Sequence, residues 1–229
     1  MTQTSSEALL AEGVHVWSVG AFGRAVARFF MAIRSGISIT DLPDGQLPNP
    51  ERWPASRIRI IAAWRPDHST FQRLNDAAYK SGESFIPIVM DGHTLRVGPT
   101  VIPASSSQEK QGACYSCWAD RLRQHASPSE HQMAAWHYYS EHAEAGPRGF
   151  IASAALIAAA RASEIVDSID SGVGVGGHLW ELSLITRQIT NTSMHGVHGC
   201  PRCGGHRPEE SRSFAEMKEA LSWIWATPE

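Results

Sequence analysis

The sequence predicts an α/β fold, a mostly parallel sheet with flanking helices. Three observations support this prediction. Strand-like patterns recur at residues 14–19, 37–40, 57–64 and 85–90. Helical spacing of apolar side chains follows the first and third of these, at residues 24–33 and 69–80. Glycine and proline interrupt the chain between most of the segments, and strands that alternate with helices typically build a parallel sheet.

The first unit is a strand, a tight glycine turn and a helix. Gly20 and Gly23 occupy the turn, and Ser18 stands where a complete dinucleotide-binding fingerprint has its first glycine. Such glycines let a phosphate approach the N-terminus of a helix, and Asp41, after the second strand, is spaced to meet a ribose. Gly20, Gly23 and Asp41 are therefore candidates for a degenerate nucleotide site. The two glycines equally suit close packing of the helix on the strand.

The next segments each carry a specific local signal. A loop rich in proline and glycine spans residues 42–54. Ser69 and Gln72 have the spacing of a capping box, which predicts that a helix starts there. Pro87 lies inside the fourth strand pattern and favours an edge position, because proline cannot donate a backbone hydrogen bond. Residues 85–97, with a hairpin turn in the middle, are thus a candidate edge for the addition of a peptide strand.

The second half of the chain is mainly helical, in one globular unit with the first. We expect helices at residues 118–125, 129–143, 150–169 and 214–225, a glycine loop at 172–177, and one or two strands within 179–192. The domain prediction is an N-terminal tail (1–13), a sheet-containing core (14–111), a cysteine-containing helical part of the same domain (112–206) and a C-terminal helix (207–229).

All four cysteines occur in two Cys-x-x-Cys pairs, Cys114 with Cys117 and Cys200 with Cys203. Two such knuckles complete a tetrahedral thiolate shell, which zinc prefers, and a full shell leaves no open position for catalysis. The sequence therefore predicts one structural zinc ion. Because 82 residues separate Cys117 from Cys200, the ion would act as a staple between distant segments. The alternatives are two independent redox dithiols or four cysteines that never meet.

Composition excludes several classes of partner. The formal charge of −3 and the pI near 6.4 do not support binding to nucleic acid or to an anionic membrane, which needs a clustered basic excess. The sequence has no apolar stretch near the length of a bilayer span and no secretory signal at its start. We therefore expect a cytoplasmic protein whose partner is another protein or a small molecule.

The order of these motifs resembles the ThiF-like superfamily of ubiquitin-activating-type adenylyltransferases. It is most similar to the divergent ThiF-like proteins of bacterial peptide natural-product clusters, over residues 13–206. The motifs are the glycine turn of a Rossmann-like unit, Gly98-Pro99 after a hairpin, Cys114-x-x-Cys117 followed by Asp120-Arg121, and His198-Gly199-Cys200-Pro201-x-Cys203-Gly204.

The resemblance implies a partner subunit of a YcaO-type cyclodehydratase, an enzyme that forms azolines from Cys, Ser and Thr of a precursor peptide. Catalytic superfamily members hold ATP and magnesium with a dense acidic, Arg, Asn and Lys set. Here only dispersed candidates occur, Asp44, Arg52, Arg57 and Asn75, and the lysine that follows them, Lys80, closes a helix beside Ser81-Gly82. The implied protein is a non-catalytic scaffold for which ATP is not expected, and we expect it to form a homodimer. Many relatives bind the leader peptide through a winged-helix segment that is not found before residue 14, so we expect an edge strand or a separate protein to serve instead.

Two other functions remain open. One is an adenylyltransferase that activates a peptide carboxylate with ATP. The other is a nicotinamide-dependent oxidoreductase, which would use the same glycine turn but would not account for the four cysteines.

Overall fold

The computed structural model describes residues 13–43, 46, 49–65, 67–103, 112–125, 130–142, 145, 149–197 and 199–204. The strands are β1 (Val14–Val19), β2 (Ile37–Leu42), β3 (Ile58–Ala63), β4 (Ser84–Asp91), β5 (Thr94–Val97), β6 (His178–Ser183) and β7 (Ile189–Ser193). The helices are α1 (Gly20–Ile33), α2 (His68–Ser81), α3 (Tyr115–His125), α4 (Glu130–Glu141) and α5 (Ala152–Asp170), with a 3-10 turn at Pro50–Arg52. The predicted C-terminal helix at 214–225 lies outside the described residues.

One seven-stranded sheet organises the fold, in the order β2-β1-β3-β4-β5-β6-β7. The pairs among β2, β1, β3 and β4 are parallel, whereas β5, β6 and β7 pair antiparallel. Five of the seven strands consequently run in one direction. The predicted mostly parallel sheet with flanking helices is confirmed. The sheet continues from β4 into an antiparallel meander of β5, β6 and β7.

Helices cover both faces of the sheet. On one face α1 and α5 pack together over apolar residues of β1, β3 and β4. Small side chains make this close approach possible, because five alanines of α5 are fully buried there: Ala154, Ala155, Ala158, Ala159 and Ala162. On the other face α2 and α3 cover an aromatic core that includes Trp17, Phe71 and Tyr115. This second face also carries the cysteine cluster.

The prediction that β4 is an edge strand is wrong. β4 pairs with β3 on one side and with β5 on the other, so the edges of the sheet are β2 and β7. Proline is tolerated at Pro87 because the N–H and C=O of one strand residue point to the same side. The backbone of Pro87 faces Gly98, just beyond the end of β5. Here the strand needs only a hydrogen-bond acceptor, because the Pro87 carbonyl accepts from the Gly98 amide at 2.8 Å.

The predicted capping box is also wrong. Helix α2 begins at His68, and its N-cap is Asp67, whose carboxylate accepts hydrogen bonds from the backbone amides of Ser69 and Thr70. Asp67 also accepts from both hydroxyl groups. An ionised carboxylate satisfies the free amides of a helix N-terminus and interacts favourably with the helix dipole, so it is the stronger cap.

Candidate metal centre and glycine turn

The four cysteines meet beside α2 and the start of α3. Their sulfur atoms all lie within 4.8 Å of one another. The Sγ atoms of Cys114 and Cys200 are 3.8 Å apart, and those of Cys117 and Cys203 are 3.4 Å apart. A tetrahedral ion with metal–sulfur bonds of about 2.3 Å requires sulfurs about 3.8 Å from one another. The cluster thus has a metal-binding geometry that joins the two distant knuckles.

Burial separates the cluster from solvent. Cys114, Cys117 and Cys203 are buried, and Cys200 is half-buried. The cysteines are free thiols and not disulfides, so all four sulfurs are available as ligands. Four sulfurs on a tetrahedron suit a thiophilic structural metal and leave no coordination position for a substrate.

Glycines are required where the backbone folds closely around the knuckles. A Cβ atom on Gly196 would lie 2.4 Å from the carbonyl oxygen of Cys203, and one on Gly204 would lie 2.5 Å from the amide nitrogen of Cys200. In the first knuckle, a Cβ on Gly112 would overlap the backbone of Gly176. These contacts explain the glycines around the cysteines, because a larger residue would distort the turn of the second knuckle or displace the first knuckle from residues 176 and 177.

Backbone amides point at the sulfur atoms. The amide of Cys114 donates to Cys203 Sγ at 3.2 Å, and the amide of Val197 donates to Cys117 Sγ at 3.4 Å. Such donors stabilise thiolates and orient metal ligands. The second knuckle is itself a turn, in which Gly204 donates to the carbonyl of Cys200 at 3.0 Å.

The thiols do not ionise equally by themselves. Hydrogen bonding from Cys203 lowers the pKa of Cys114 to about 5, whereas burial raises the pKa of Cys117 to about 11. The hydrogen bond to Cys114 raises the pKa of Cys203. The cluster therefore favours one thiolate, because further negative charges would repel each other. A divalent cation supplies the charge that allows the other thiols to ionise.

The second knuckle also contacts α2. Arg202 Nε lies 2.6 Å from a carboxylate oxygen of Asp76, and the ring of Tyr79 packs on the cysteines. Sequence reasoning did not identify these contacts. The position of Arg202 inside the Cys-x-x-Cys motif could have indicated its role, because a cation beside four thiolates reduces their mutual repulsion.

The glycine turn is present, and its two glycines differ in role. Gly20 begins α1 with a φ of 67°, a left-handed conformation that favours glycine. A Cβ on Gly23 would lie 2.4 Å from the carbonyl oxygen of Ala62, so Gly23 allows α1 to pack closely on β3. The Asp41 carboxylate accepts a hydrogen bond from the buried Ser18 hydroxyl. The structure thus brings Asp41 beside the start of α1.

The dispersed ATP-binding candidates do not converge on this turn. Asn75 is buried under α3, where its side-chain oxygen accepts from the Tyr115 amide at 3.1 Å. Arg57 lies 2.5 Å from Asp170 in an ion pair, and Arg52 ends the 3-10 turn. Asp44 and His198 lie outside the described residues.

Among the helices that the structure describes, none combines the length and the apolar character that a membrane span requires.

Neither a protein-family model nor a curated protein matches the sequence. Solved structures do match in fold. A heterocyclase in complex with substrate and cofactor is 15% identical with a TM-score of 0.56, over 91% of this chain and 28% of that one. The E. coli microcin synthetase complex McbBCD is 14% identical with a TM-score of 0.57, over 87% of this chain and 70% of that one.

MccB of E. coli, described as a microcin C7 biosynthetic enzyme, is 13% identical with a TM-score of 0.58, over 89% of this chain and 68% of that one. The chain spans about a third or less of the length of the heterocyclases that it matches. The fold that the resemblance implied is therefore confirmed: this chain has the fold that these heterocyclase and microcin-biosynthesis structures contain.

Proposed function

We propose that this chain is a ThiF-like, non-catalytic partner of a YcaO-type cyclodehydratase in the biosynthesis of an azole-containing ribosomal peptide, and that its cysteine cluster binds structural zinc. The observation that carries the proposal is the combination of this fold with a closed four-cysteine cluster and a dispersed set of polar groups. Two of the dispersed candidates for ATP binding, Asn75 and Arg57, make structural contacts here.

These two residues show the change most clearly. Asn75 would have to leave the buried amide of Tyr115, the first residue of α3, in order to reach a nucleotide. Arg57 pairs with Asp170 at the end of α5 and precedes β3, so it lies at the strand end opposite to the glycine turn, which follows the parallel strand β1. Breaking the first contact would leave a buried amide without an acceptor, at a cost of about 1–3 kcal/mol. This argues for a fold retained for assembly.

Zinc is proposed for the cluster because four thiolates at tetrahedral spacing select it among the common cellular cations that have no redox chemistry. When bound, zinc supplies charge neutralisation and a cross-link. The protein groups around it orient the thiolates through the amides of Cys114 and Val197. Asp41, Gly20 and Gly23 are proposed as the remnant of a nucleotide site.

Reconstitution tests the proposed role. The purified chain, the YcaO-type enzyme from the same genome and a candidate precursor peptide are combined with ATP, and the peptide is analysed by mass spectrometry. We expect the loss of one water per ring only when both proteins are present. The chain should copurify with the enzyme as a homodimer, which light scattering at micromolar concentration measures.

The adenylyltransferase alternative is tested with the same preparation. ATP–pyrophosphate exchange is measured for the chain with candidate peptides, and Asp41→Asn provides the matched variant. Exchange that is absent at every peptide concentration agrees with a non-catalytic partner. Exchange that depends on peptide and decreases in Asp41→Asn would establish the adenylyltransferase and overturn the proposal.

A further inference from the structure

An open cleft of about 560 Å³ lies beside α2, on the sheet face that carries the aromatic core. It is separate from the glycine turn and is bordered by the 3-10 turn on one side and by α2 on the other. The lining residues that matter for its chemistry are Glu51, Trp53, Arg59, Arg73, Asp76 and Lys80. Its volume falls within the range of binding clefts, about 300–1,000 Å³.

The floor of the cleft is a closed aromatic stack. The indole of Trp53 stacks on Trp17 at 4.3 Å, and the Arg59 guanidinium carbon lies 4.7 Å from the centre of its ring. Both faces of Trp53 are thus covered, so a nucleobase cannot stack on it. Trp53 Nε1 and Arg59 Nε are buried and have no hydrogen-bond partner among the described residues. An occupant of the cleft cannot reach these buried donors, so its chemistry depends on the exposed side chains of the walls.

The α2 wall of the cleft is cationic. Arg73 and Lys80 are exposed on α2, seven residues apart, which corresponds to two helical turns and about 10.5 Å of rise. Asp76 lies between them, but its carboxylate is paired with Arg202 of the second knuckle at 2.6 Å. Arg59 is likewise paired with Glu83.

Glu51 is then the one lining carboxylate for which the described residues provide no salt bridge. Two cations facing a single carboxylate give the cleft an excess of positive charge, although the whole chain carries −3. The second knuckle contributes to this excess, because Arg202 neutralises Asp76. An anionic occupant is therefore favoured.

The positions of the two cations along α2 suit an extended occupant. Their Cα atoms are separated by about 10.5 Å along the helix, so a segment that runs beside α2 can pair with each cation separately, whereas a single phosphate or carboxylate would have to draw both flexible side chains together. In an extended chain, side chains two residues apart lie on one face about 7 Å from each other, and those four apart about 13 Å. Two acidic side chains on that face can therefore reach both Arg73 and Lys80.

We propose that this cleft binds an extended acidic peptide segment, with Arg73 and Lys80 contacting its carboxylates. The inference deepens the proposed function, on which it rests for the source of the peptide, by naming the chemistry of the segment that the chain would recognise.

Fluorescence anisotropy with a fluorescein-labelled hexaglutamate peptide tests this directly. We expect the double variant Arg73→Gln/Lys80→Gln to bind about tenfold more weakly than the wild type, since each exposed ion pair contributes modestly. The control is Arg28→Gln/Arg187→Gln, which removes the same charge at exposed positions away from the cleft and should bind within about twofold of the wild type. Glu51→Gln should bind more tightly. Circular dichroism verifies that all variants are folded.

Three results would overturn the proposal. One is equal weakening in both double variants, which would indicate general electrostatics. Another is binding of labelled hexalysine as tight as that of hexaglutamate. The third is ATP affinity that depends on Arg73 and Lys80 while hexaglutamate does not bind. Copurification with the YcaO-type enzyme is measured on the same variants: it tests the proposed function alone, and hexaglutamate tests the cleft alone.

Discussion

Replacement of Cys200 by serine is the sharpest test of the metal cross-link. Cys200 is the half-buried cysteine of the cluster, and serine is nearly the same shape, so the substitution removes a thiol with little change in packing. An ion bound by the four sulfurs would join Cys117 to Cys200 across 82 intervening residues. Closing a loop of that length lowers the entropy of the unfolded chain by an amount equivalent to about 4–5 kcal/mol.

That value is a large part of the total stability of a typical domain, about 5–15 kcal/mol. We therefore expect Cys200→Ser to lose bound metal and to unfold at much lower urea concentration, or to aggregate, and Cys114→Ser to do the same because both remove a ligand from one ion. Elemental mass spectrometry measures zinc per chain, and fluorescence of the eight tryptophans follows unfolding.

Ser116→Ala is the matched control, because Ser116 lies between the two cysteines of the first knuckle without being a ligand. It should keep one zinc per chain and the wild-type urea midpoint. A metal-free wild-type protein with four reactive thiols, together with a Cys200→Ser variant of unchanged midpoint, would refute the cross-link.

Three further outcomes are expected. Gly23→Ala should lower the free energy of unfolding by about 1–3 kcal/mol because its Cβ would meet the Ala62 carbonyl, whereas Gly174→Ala, with open space around it, should not; urea titration compares them. Gly196→Ala should lower the zinc content at limiting metal, because its Cβ would displace the second knuckle; an unchanged content would contradict that contact. Burial and the Arg59 charge lower the pKa of His15 to about 4, below the unfolded value of about 6.5. The unfolded chain therefore binds this proton first, and stability should fall by up to about 3 kcal/mol as the pH decreases from 6.5 to 4. His15→Gln should remove this component, and an identical pH profile in the variant would argue against it.

Local patterns explain how much of the fold could be predicted. The alternation in β1, the glycines after it and the helical spacing in α1 are properties of neighbouring residues, and the structure contains that unit as predicted. The prediction that β4 is an edge strand was wrong, because an edge position depends on which strand lies beside Pro87. Whether a proline interrupts a sheet depends on which side its missing N–H faces, and local sequence does not contain that information.

The prediction of the residue that caps α2 was wrong for a related reason. Ser69 and Gln72 have the spacing of a capping box, but Asp67 lies two residues earlier and carries a full charge. The sequence analysis identified only the first of these, whereas the structure uses Asp67, whose carboxylate reaches two amides and two hydroxyl groups.

By itself, the sequence determined which residues of this protein could bind a metal, since the spacing within each Cys-x-x-Cys pair fixes two sulfurs on one turn. Only the tertiary structure decided that the two pairs meet, because 82 residues must fold before Cys117 and Cys200 can become neighbours. The charge of the cleft beside α2 has the same origin. Arg73 and Lys80 are neighbours through helix geometry alone, but Asp76 between them is neutralised by Arg202, more than a hundred residues away in sequence. Spacing along a chain fixes contacts within one element, whereas contacts between elements depend on the packing of the whole core.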